Sequence, residues 1–410
     1  MTPVPDDKPR IKVLYCILDS RFGGPHRLAL TTARQLRDYG VETCFLLGQK
    51  SQDLWRPAGF DVFACRYIQC FRRHHPLWNF LVFCCFLPAN LLRIRRLIRS
   101  RAIDIVHVDG VTNFVPALAA GLIRTPVVWT YNDHLPNPFK WLLLRLVRAL
   151  SCAVIVQGER LREVRTGSVP KLHDKTVVLY PGIDLREFDP ARYDLQARAR
   201  LRAQWGVPGD VPLIGIIGNL NRLKGHGYFI RAAQRIKEQV KTARFLVVGR
   251  RLDTAPDYWE QIQRLTVECG LQEDLIFAGF REDAAAILSI LDVFVLSSVL
   301  ESCPNVVLEA MAMKVPVVAT DVGAVSELVL DGRTGFVVPP RDDAALARSI
   351  LAYLTMPQEQ VRNMVTAARK RVENTFGADI MARQQYHVYE RIFERTVSRS
   401  GPEEHEPGSR

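Results

Sequence analysis

Short apolar runs recur along the chain, and stretches with helical spacing of apolar positions separate them. Residues 11–18 (IKVLYCIL) form the first such run. The turn Phe22-Gly23-Gly24-Pro25 follows, then a helical pattern over residues 27–39, stopped by Gly40. Residues 41–47 make the next run. Strand, glycine-rich turn, helix and strand in that order predict a βαβ unit and a parallel sheet. Further strands are predicted at 104–108, 126–130 and 153–156, so residues 10–185 read as one Rossmann-like domain. A second series places strands at 212–217, 244–248, 275–278, 293–296 and 316–319, with helices at 228–240 and 258–269. It predicts a second Rossmann-like domain over 186–375. The turn-rich segment 180–190 (YPGIDLREFDP) is the expected linker. The helical pattern 378–396, within a segment 376–399, is too long and polar to be another crossover. Residues 1–9 read as a flexible leader and 400–410 as a disordered tail.

One region departs from this pattern. Residues 78–92 (WNFLVFCCFLPANLL) are almost wholly apolar but interrupted by Pro88. They are fewer than the roughly 20 that a spanning helix needs. Arg72, Arg73, Arg93, Arg95, Arg96, Arg99 and Arg101 flank them. Residues 139–150 (FKWLLLRLVRAL) repeat the theme. Two readings stand together: interfacial helices on a membrane surface, or helices that pack on the sheet with basic outer faces.

Charge sharpens the first of these. The 410 residues hold 55 Lys+Arg and 43 Asp+Glu, a formal net charge of +12. Residues 1–190 carry 27 basic and 16 acidic residues, so nearly all the excess lies in the first half. Such asymmetry suggests that one domain meets an anionic surface or ligand. It does not favour a nucleic acid partner, because no recognisable nucleic-acid module is present. A composition 48% hydrophobic and 24% charged excludes extended disorder or a coiled coil as the main theme. The nine cysteines include no C-x-x-C pair, which with no secretory signal points to the cytoplasm.

The candidate chemistry concentrates after the strand predicted at 293–296. Glu301-Ser302-Cys303-Pro304-Asn305 leads into a helix that carries Glu309 about one turn in. Glu301 then stands beyond the carboxyl end of a strand, where open α/β sheets bind ligands. The helix start offers free N–H groups and a positive dipole end to an anion such as a diphosphate. The two carboxylates can grip hydroxyl pairs on either side of it. The alternative is a surface loop residue and a solvated helix residue.

The stretch ESCPNVVLEAMAMKVPVVATDVGAVSELVLDGRTGFVVPP resembles the nucleotide-sugar site of glycosyltransferase family 4, a group of retaining enzymes. The E-x7-E spacing, the A-M-A that follows, the P-V-V-A-T strand and the D-G-x-T-G-F turn occur together and in order. The resemblance implies a GT-B fold: two Rossmann-like domains facing a deep cleft, with the final helix returning to the first. It assigns Glu301 to the transferred sugar and Glu309 to the ribose hydroxyls. Backbone amides around Cys303, Pro304 and Asn305 would meet sugar and phosphate oxygens. Where many members have Gly and an aromatic after the first Glu, this chain has Ser302 and Cys303. In the turn Gly218-Asn219-Leu220-Asn221-Arg222-Leu223-Lys224, Lys224 matches a diphosphate-neutralising Lys. Asn219 stands where the family often has Arg, and Arg222 is a candidate substitute.

Weaker correspondences complete the expected site. Gly23 and Gly24 match a turn that faces the donor. Phe280 lies near the base. His107 and Asn132 fall on the acceptor side, Asn132 where the family often has His and His134 two residues later. His107 reads equally as a satisfied strand-end histidine. There is no D-x-D pair, and neither metal nor cofactor is expected; a nucleoside diphosphate sugar is the donor substrate. The expected reaction is metal-independent sugar transfer with retention to a saccharide or lipid-linked acceptor, in polysaccharide, lipopolysaccharide or glycolipid assembly. The expected place is the cytoplasm, peripherally on the inner membrane face. The alternatives are a GT-B epimerase or phosphorylase, or a non-enzymatic basic binding protein.

Overall fold

The computed structural model describes residues 10–18, 23–48, 59–66, 76–132, 140–167, 169–252 and 256–400. Expectations for residues 1–9, Phe22, His134 and 401–410 lie outside the described residues.

The first half alternates strand and helix. Its elements are β1 (Ile11–Ile17), α1 (Gly24–Leu36), β2 (Val41–Gly48), β3 (Val62–Cys65), α2 (Pro76–Ser100), β4 (Ile105–Asp109) and α3 (Phe114–Gly121). They continue with β5 (Val127–Thr130), α4 (Lys140–Leu150), β6 (Ala153–Val156), α5 (Glu159–Thr166), α6 (Pro170–His173) and β7 (Thr176–Val178). The seven strands form one parallel sheet in the order β3-β2-β1-β4-β5-β6-β7. Helices cover both faces, so the central strands read as near-continuous apolar runs. Leu14, Cys16, Val106, Val108 and Trp129 point to the face packed by α2, α3 and α4. Ile11, Val13, Ile105, Val128 and Ile155 point to the opposite face.

The second half follows the same logic. After α7 (Leu195–Ala203) come β8 (Leu213–Ile217), α8 (His226–Gln239), β9 (Arg244–Val248), α9 (Pro256–Glu268), β10 (Leu275–Gly279), α10 (Ala284–Ile290) and β11 (Val293–Leu296). Then come α11 (Asn305–Ala312), β12 (Val317–Thr320), α12 (Val325–Leu328), β13 (Phe336–Val338), α13 (Asp343–Thr355) and α14 (Gln358–Thr375). Six parallel strands take the order β10-β9-β8-β11-β12-β13. That order reverses direction at β8 and β11, and a ligand site is expected at such a switch point.

The chain divides into two compact units. One holds residues 183–378 with 158–161; the other holds the rest, including α15 (Ala378–Ser400) from Asp379 on. Met381, Tyr386, Tyr389 and Ile392 of α15 join Ile11, Val13, Ile105 and Val128 in one buried cluster.

Three strands, β3, β7 and β13, were not expected from the sequence. Residues 78–92, whose apolar run Pro88 interrupts, lie within one continuous helix, α2. Pro88 sits inside α2, on its exposed side. Proline removes one helical hydrogen bond. The helix is held by a one-sided stripe of Phe83, Leu87, Asn90, Leu91, Ile94 and Ile98, all buried or half-buried. None of the described helices is long and apolar enough to cross a membrane.

Candidate active site

Two loops at the carboxyl ends of adjacent strands, β8 and β11, build the site. The β8 loop turns through Gly218 into a single 3-10 turn, Arg222–Lys224. The Asn221 side chain accepts from the backbone N–H of Leu223 at 2.9 Å and Lys224 at 3.2 Å, which fixes that turn. Gly225 follows at φ 66°. A Cβ there would lie 1.9 Å from the Ser297 carbonyl oxygen, so only glycine lets the loops approach this closely. The Ser297 hydroxyl donates to the Gly225 carbonyl at 3.0 Å, and Val299 N–H donates to the Leu223 carbonyl at 2.8 Å.

This stitching brings Lys224 and Glu301 together. Lys224 Nζ donates to Glu301 Oε1 at 2.6 Å. The Ser298 hydroxyl donates to the same oxygen, also at 2.6 Å. Ser298 is itself positioned from below, because the buried Thr320 hydroxyl donates to its carbonyl at 2.6 Å. The Lys224 side chain is 28% exposed and that of Glu301 11%. The pair is therefore largely shielded from bulk water but not sealed from it, which strengthens its field on an incoming ligand.

Glu301 leads directly into α11. Pro304 caps that helix with extended backbone, Asn305 is its first residue, and Cys303 is buried beneath the turn. Gly323, at φ 57°, packs against the loop from β12. A Cβ on it would meet the Ser302 carbonyl oxygen at 2.2 Å, and the neighbouring Ala324 N–H donates to that oxygen at 2.9 Å. Glu309 lies half-buried on α11, one turn from its start.

The other candidates in this unit fall to either side. Arg222 is turned toward α9, where it pairs with Asp257 at 2.8 Å and lies 5.6 Å from the Tyr258 ring centroid. Asn219 accepts from the Arg250 N–H at 3.3 Å. The Arg250 guanidinium covers the exposed Phe280 ring at 4.5 Å. The sequence reading singled out neither Ser298, which holds Glu301, nor Arg250, which touches Asn219 and Phe280. The only signal for Arg250 is its place after the strand 244–248; the only signal for Ser298 is the Ser297-Ser298 pair before the loop. Among the described residues, no cluster of His, Cys, Asp and Glu could hold a metal ion.

The remaining candidates belong to the first unit. Gly23 caps α1 with φ −159°, an extended conformation any residue adopts, and Gly24 opens the helix. Asn132 follows β5, and its carbonyl accepts from Arg165 at 3.0 Å. His107 is 1% exposed within β4. Its Nδ1 meets the Tyr389 hydroxyl at 2.5 Å and its Nε2 the Thr130 hydroxyl at 2.6 Å. The acceptor-side reading of His107 is corrected accordingly: both ring nitrogens are spent inside the core.

Burial pulls His107 down to about 3 and His226, the first residue of α8, to about 4. Both stay neutral in the fold, whereas the unfolded chain takes up protons near pH 6.5. Their contribution is therefore complete above about pH 6.5 and is lost as pH falls toward those folded values. Each can steepen the fall by at most about 1.4 kcal/mol per pH unit. Melting temperatures between pH 7.5 and pH 5 should fall, and less steeply in His107→Gln. An unchanged slope in that variant would remove His107 as a source.

Both halves of the chain are similar to known glycosyltransferases. Residues 211–356 match the family model described as Glycosyl transferases group 1, and residues 22–187 match Glycosyltransferase Family 4. An uncharacterised glycosyltransferase of Methanocaldococcus jannaschii is 26% identical over 81% of this chain and 84% of its own. The lipopolysaccharide core biosynthesis mannosyltransferase of Rhizobium leguminosarum bv. viciae is 31% identical over 56% of this chain and 60% of its own. The structure of Anabaena Alr3699/HepE in complex with UDP and glucose superimposes with a TM-score of 0.79 at 20% identity. That match covers 92% of this chain and 99% of the Anabaena chain, and it shows a shared fold. The family models matched over residues 22–187 and 211–356, on two Rossmann-like domains, place this chain among the family 4, group 1 glycosyltransferases of GT-B fold.

Proposed function

We propose that this glycosyltransferase moves a sugar from a nucleoside diphosphate sugar to an acceptor hydroxyl with retention of anomeric configuration. The observation that carries the reading is the Lys224–Glu301 pair beside the first turn of α11. Breaking the glycosidic bond leaves growing negative charge on the diphosphate and positive charge on the sugar. Lys224 and the α11 N–H groups meet the first, and Glu301 meets the second. Glu301 is held by Lys224 and Ser298 in one orientation, so it serves as a fixed charge rather than as a mobile nucleophile. Attack from the face that the diphosphate leaves then accounts for retention, with a diphosphate oxygen taking the acceptor's proton.

UDP and glucose occupy the Anabaena relative, and the Rhizobium relative is named for lipopolysaccharide core assembly. Both support a nucleotide-sugar donor and an acceptor of the cell envelope, lipid-linked or saccharide, reached from the cytoplasmic membrane face. A panel of UDP- and GDP-sugars, screened by thermal shift and then assayed with glycolipid and saccharide acceptors, tests this. The anomeric coupling constant of the product reports retention. Donor isomerised without acceptor would favour an epimerase, and phosphate-dependent product a phosphorylase.

Glu309 is assigned to the ribose, which is the same in ground and transition states. Its loss removes uniform binding. Glu309→Gln should therefore raise KM for the donor about tenfold or more, from the loss of a charged hydrogen bond, and leave kcat near its original value. A lowered kcat at unchanged KM would place Glu309 at the reacting carbon instead.

A further inference from the structure

Helices α2 and α4 hold seven arginines and one lysine, counting Arg101 just past α2, and no acidic residue. The register of α2 on its sheet is fixed at two points. Arg101 pairs with Asp61 at 2.7 Å and lies over the Phe63 ring at 5.1 Å, at the amino end of β3. Asn90 Nδ2 donates to the Arg66 carbonyl at 3.0 Å, just past the carboxyl end of β3. Residues 90–101 thus run the length of that strand, about 17 Å by helical rise and about 17 Å by strand rise. Among the described residues no strand lies beneath the first half of α2, residues 76–89, which runs about 20 Å past the carboxyl end of β3. Phe83 anchors it there, buried and edge-on to Phe114 at the start of α3, with ring centroids 6.0 Å apart.

The projection bares apolar side chains. Trp78 is 68% exposed, and Phe80, Leu81 and Phe86 are exposed beside it. Arg93, Arg96 and Arg99 are exposed farther along the same helix. Helix α4 repeats the pattern. Leu143, Leu144 and Val147 face the core, Trp141 and Leu142 are exposed on the first turn, and Arg145 and Arg148 follow. The Arg145 guanidinium lies 3.9 Å from the Trp141 ring centroid. Because the crossovers join parallel strands, α4 also begins at the carboxyl edge, with α3 between it and α2. Aromatic side chains at one end with arginines behind them suit the boundary between acyl chains and anionic headgroups. A purely apolar partner would leave the arginines without counter-charge.

We propose that the projecting half of α2 and the first turn of α4 seat the first domain on an anionic lipid bilayer. The carboxyl edge of its sheet then lies at headgroup level, where a lipid-linked acceptor presents its hydroxyl. This deepens the proposed function by naming the partner surface, but the docking itself rests on α2 and α4 alone.

The test is flotation of the full chain with vesicles of phosphatidylcholine alone or mixed with phosphatidylglycerol, at low and high salt. Binding should require phosphatidylglycerol and weaken with salt. W78S/W141S should lose at least tenfold in vesicle binding, and R96E/R99E should lose the preference for phosphatidylglycerol. Both variants should keep the thermal shift given by the nucleoside diphosphate that stabilises the parent chain. Equal binding to neutral vesicles, or none, overturns the proposal. So does a concentration-dependent dimer, by ultracentrifugation, that W78S/W141S abolishes, since a second copy would then cover the face. Vesicle binding without any nucleotide-induced shift would sink the enzymatic reading and leave the docking surface standing.

Discussion

Glu301→Gln should lower kcat by about 10²–10³, the usual cost of losing one oriented electrostatic contact at a transition state. The same variant should bind free nucleoside diphosphate more tightly than the parent. Both expectations follow from the 2.6 Å contact between Lys224 Nζ and Glu301 Oε1. In the resting protein, Lys224 has a carboxylate as its counter-charge. An incoming diphosphate must compete with that carboxylate. The neutral amide keeps the loop's shape and can still accept from Ser298, but it no longer holds the ammonium. Product affinity then rises as turnover falls. Calorimetric titration with the diphosphate, beside steady-state kinetics, reads both effects. Weaker diphosphate binding in Glu301→Gln would mean that the carboxylate orients Lys224 rather than competing for it.

Lys224→Ala should lose in both KM and kcat. A charge-assisted contact contributes about 1.5–3 kcal/mol, a factor of roughly ten to a hundred in donor binding. The loss at the transition state exceeds this, because the leaving diphosphate gains charge as the bond breaks. Removing one partner also leaves Glu301, 11% exposed, without its cation, so the melting temperature should fall. Lys224→Arg separates the effects: it keeps the charge and should recover stability and part of the donor affinity. Arg222→Ala serves as control. Arg222 is engaged with Asp257 on the exposed side of α9, so its loss should leave kinetics nearly unchanged. Full activity in Lys224→Ala would move the diphosphate elsewhere on this sheet.

The central strands were legible because they are buried on both faces and carry unbroken apolar runs. Ala153–Val156, Arg244–Val248 and Val293–Leu296 are residue for residue the runs visible in the sequence. The strands that escaped notice, β3, β7 and β13, are all edge strands of three or four residues. An edge strand is covered less, and most of their residues are only half-buried, so composition marks them weakly. Pro88 interrupts the apolar run but not the helix. Local propensity argues for a break, but the stripe from Phe83 to Ile98 is long enough for packing to override one lost hydrogen bond. Lys224 and Glu301 were each visible through a motif. Their contact was not, because the two residues are 77 apart and meet only through the placement of β8 beside β11. Arg250 and Ser298 belong to no motif, and only the folded loops reveal them.

The two domains differ in how the chain supplies them. The second is almost one continuous stretch, residues 183–378. The first is closed by Met381, Tyr386, Tyr389 and Ile392, which arrive only after that whole stretch has been made. On the ribosome, at about 5–20 residues per second, roughly 200 intervening residues take about 10–40 s. Throughout that interval Ile11, Val13, Ile105 and Val128 have only Leu28 and Leu36 of α1 on their face and none of the α15 residues that complete it, and His107 lacks the hydroxyl of Tyr389. The domain translated first is therefore the one completed last. Its half-covered sheet face stands open to chaperones, or to a wrong neighbour, while the chain is being born.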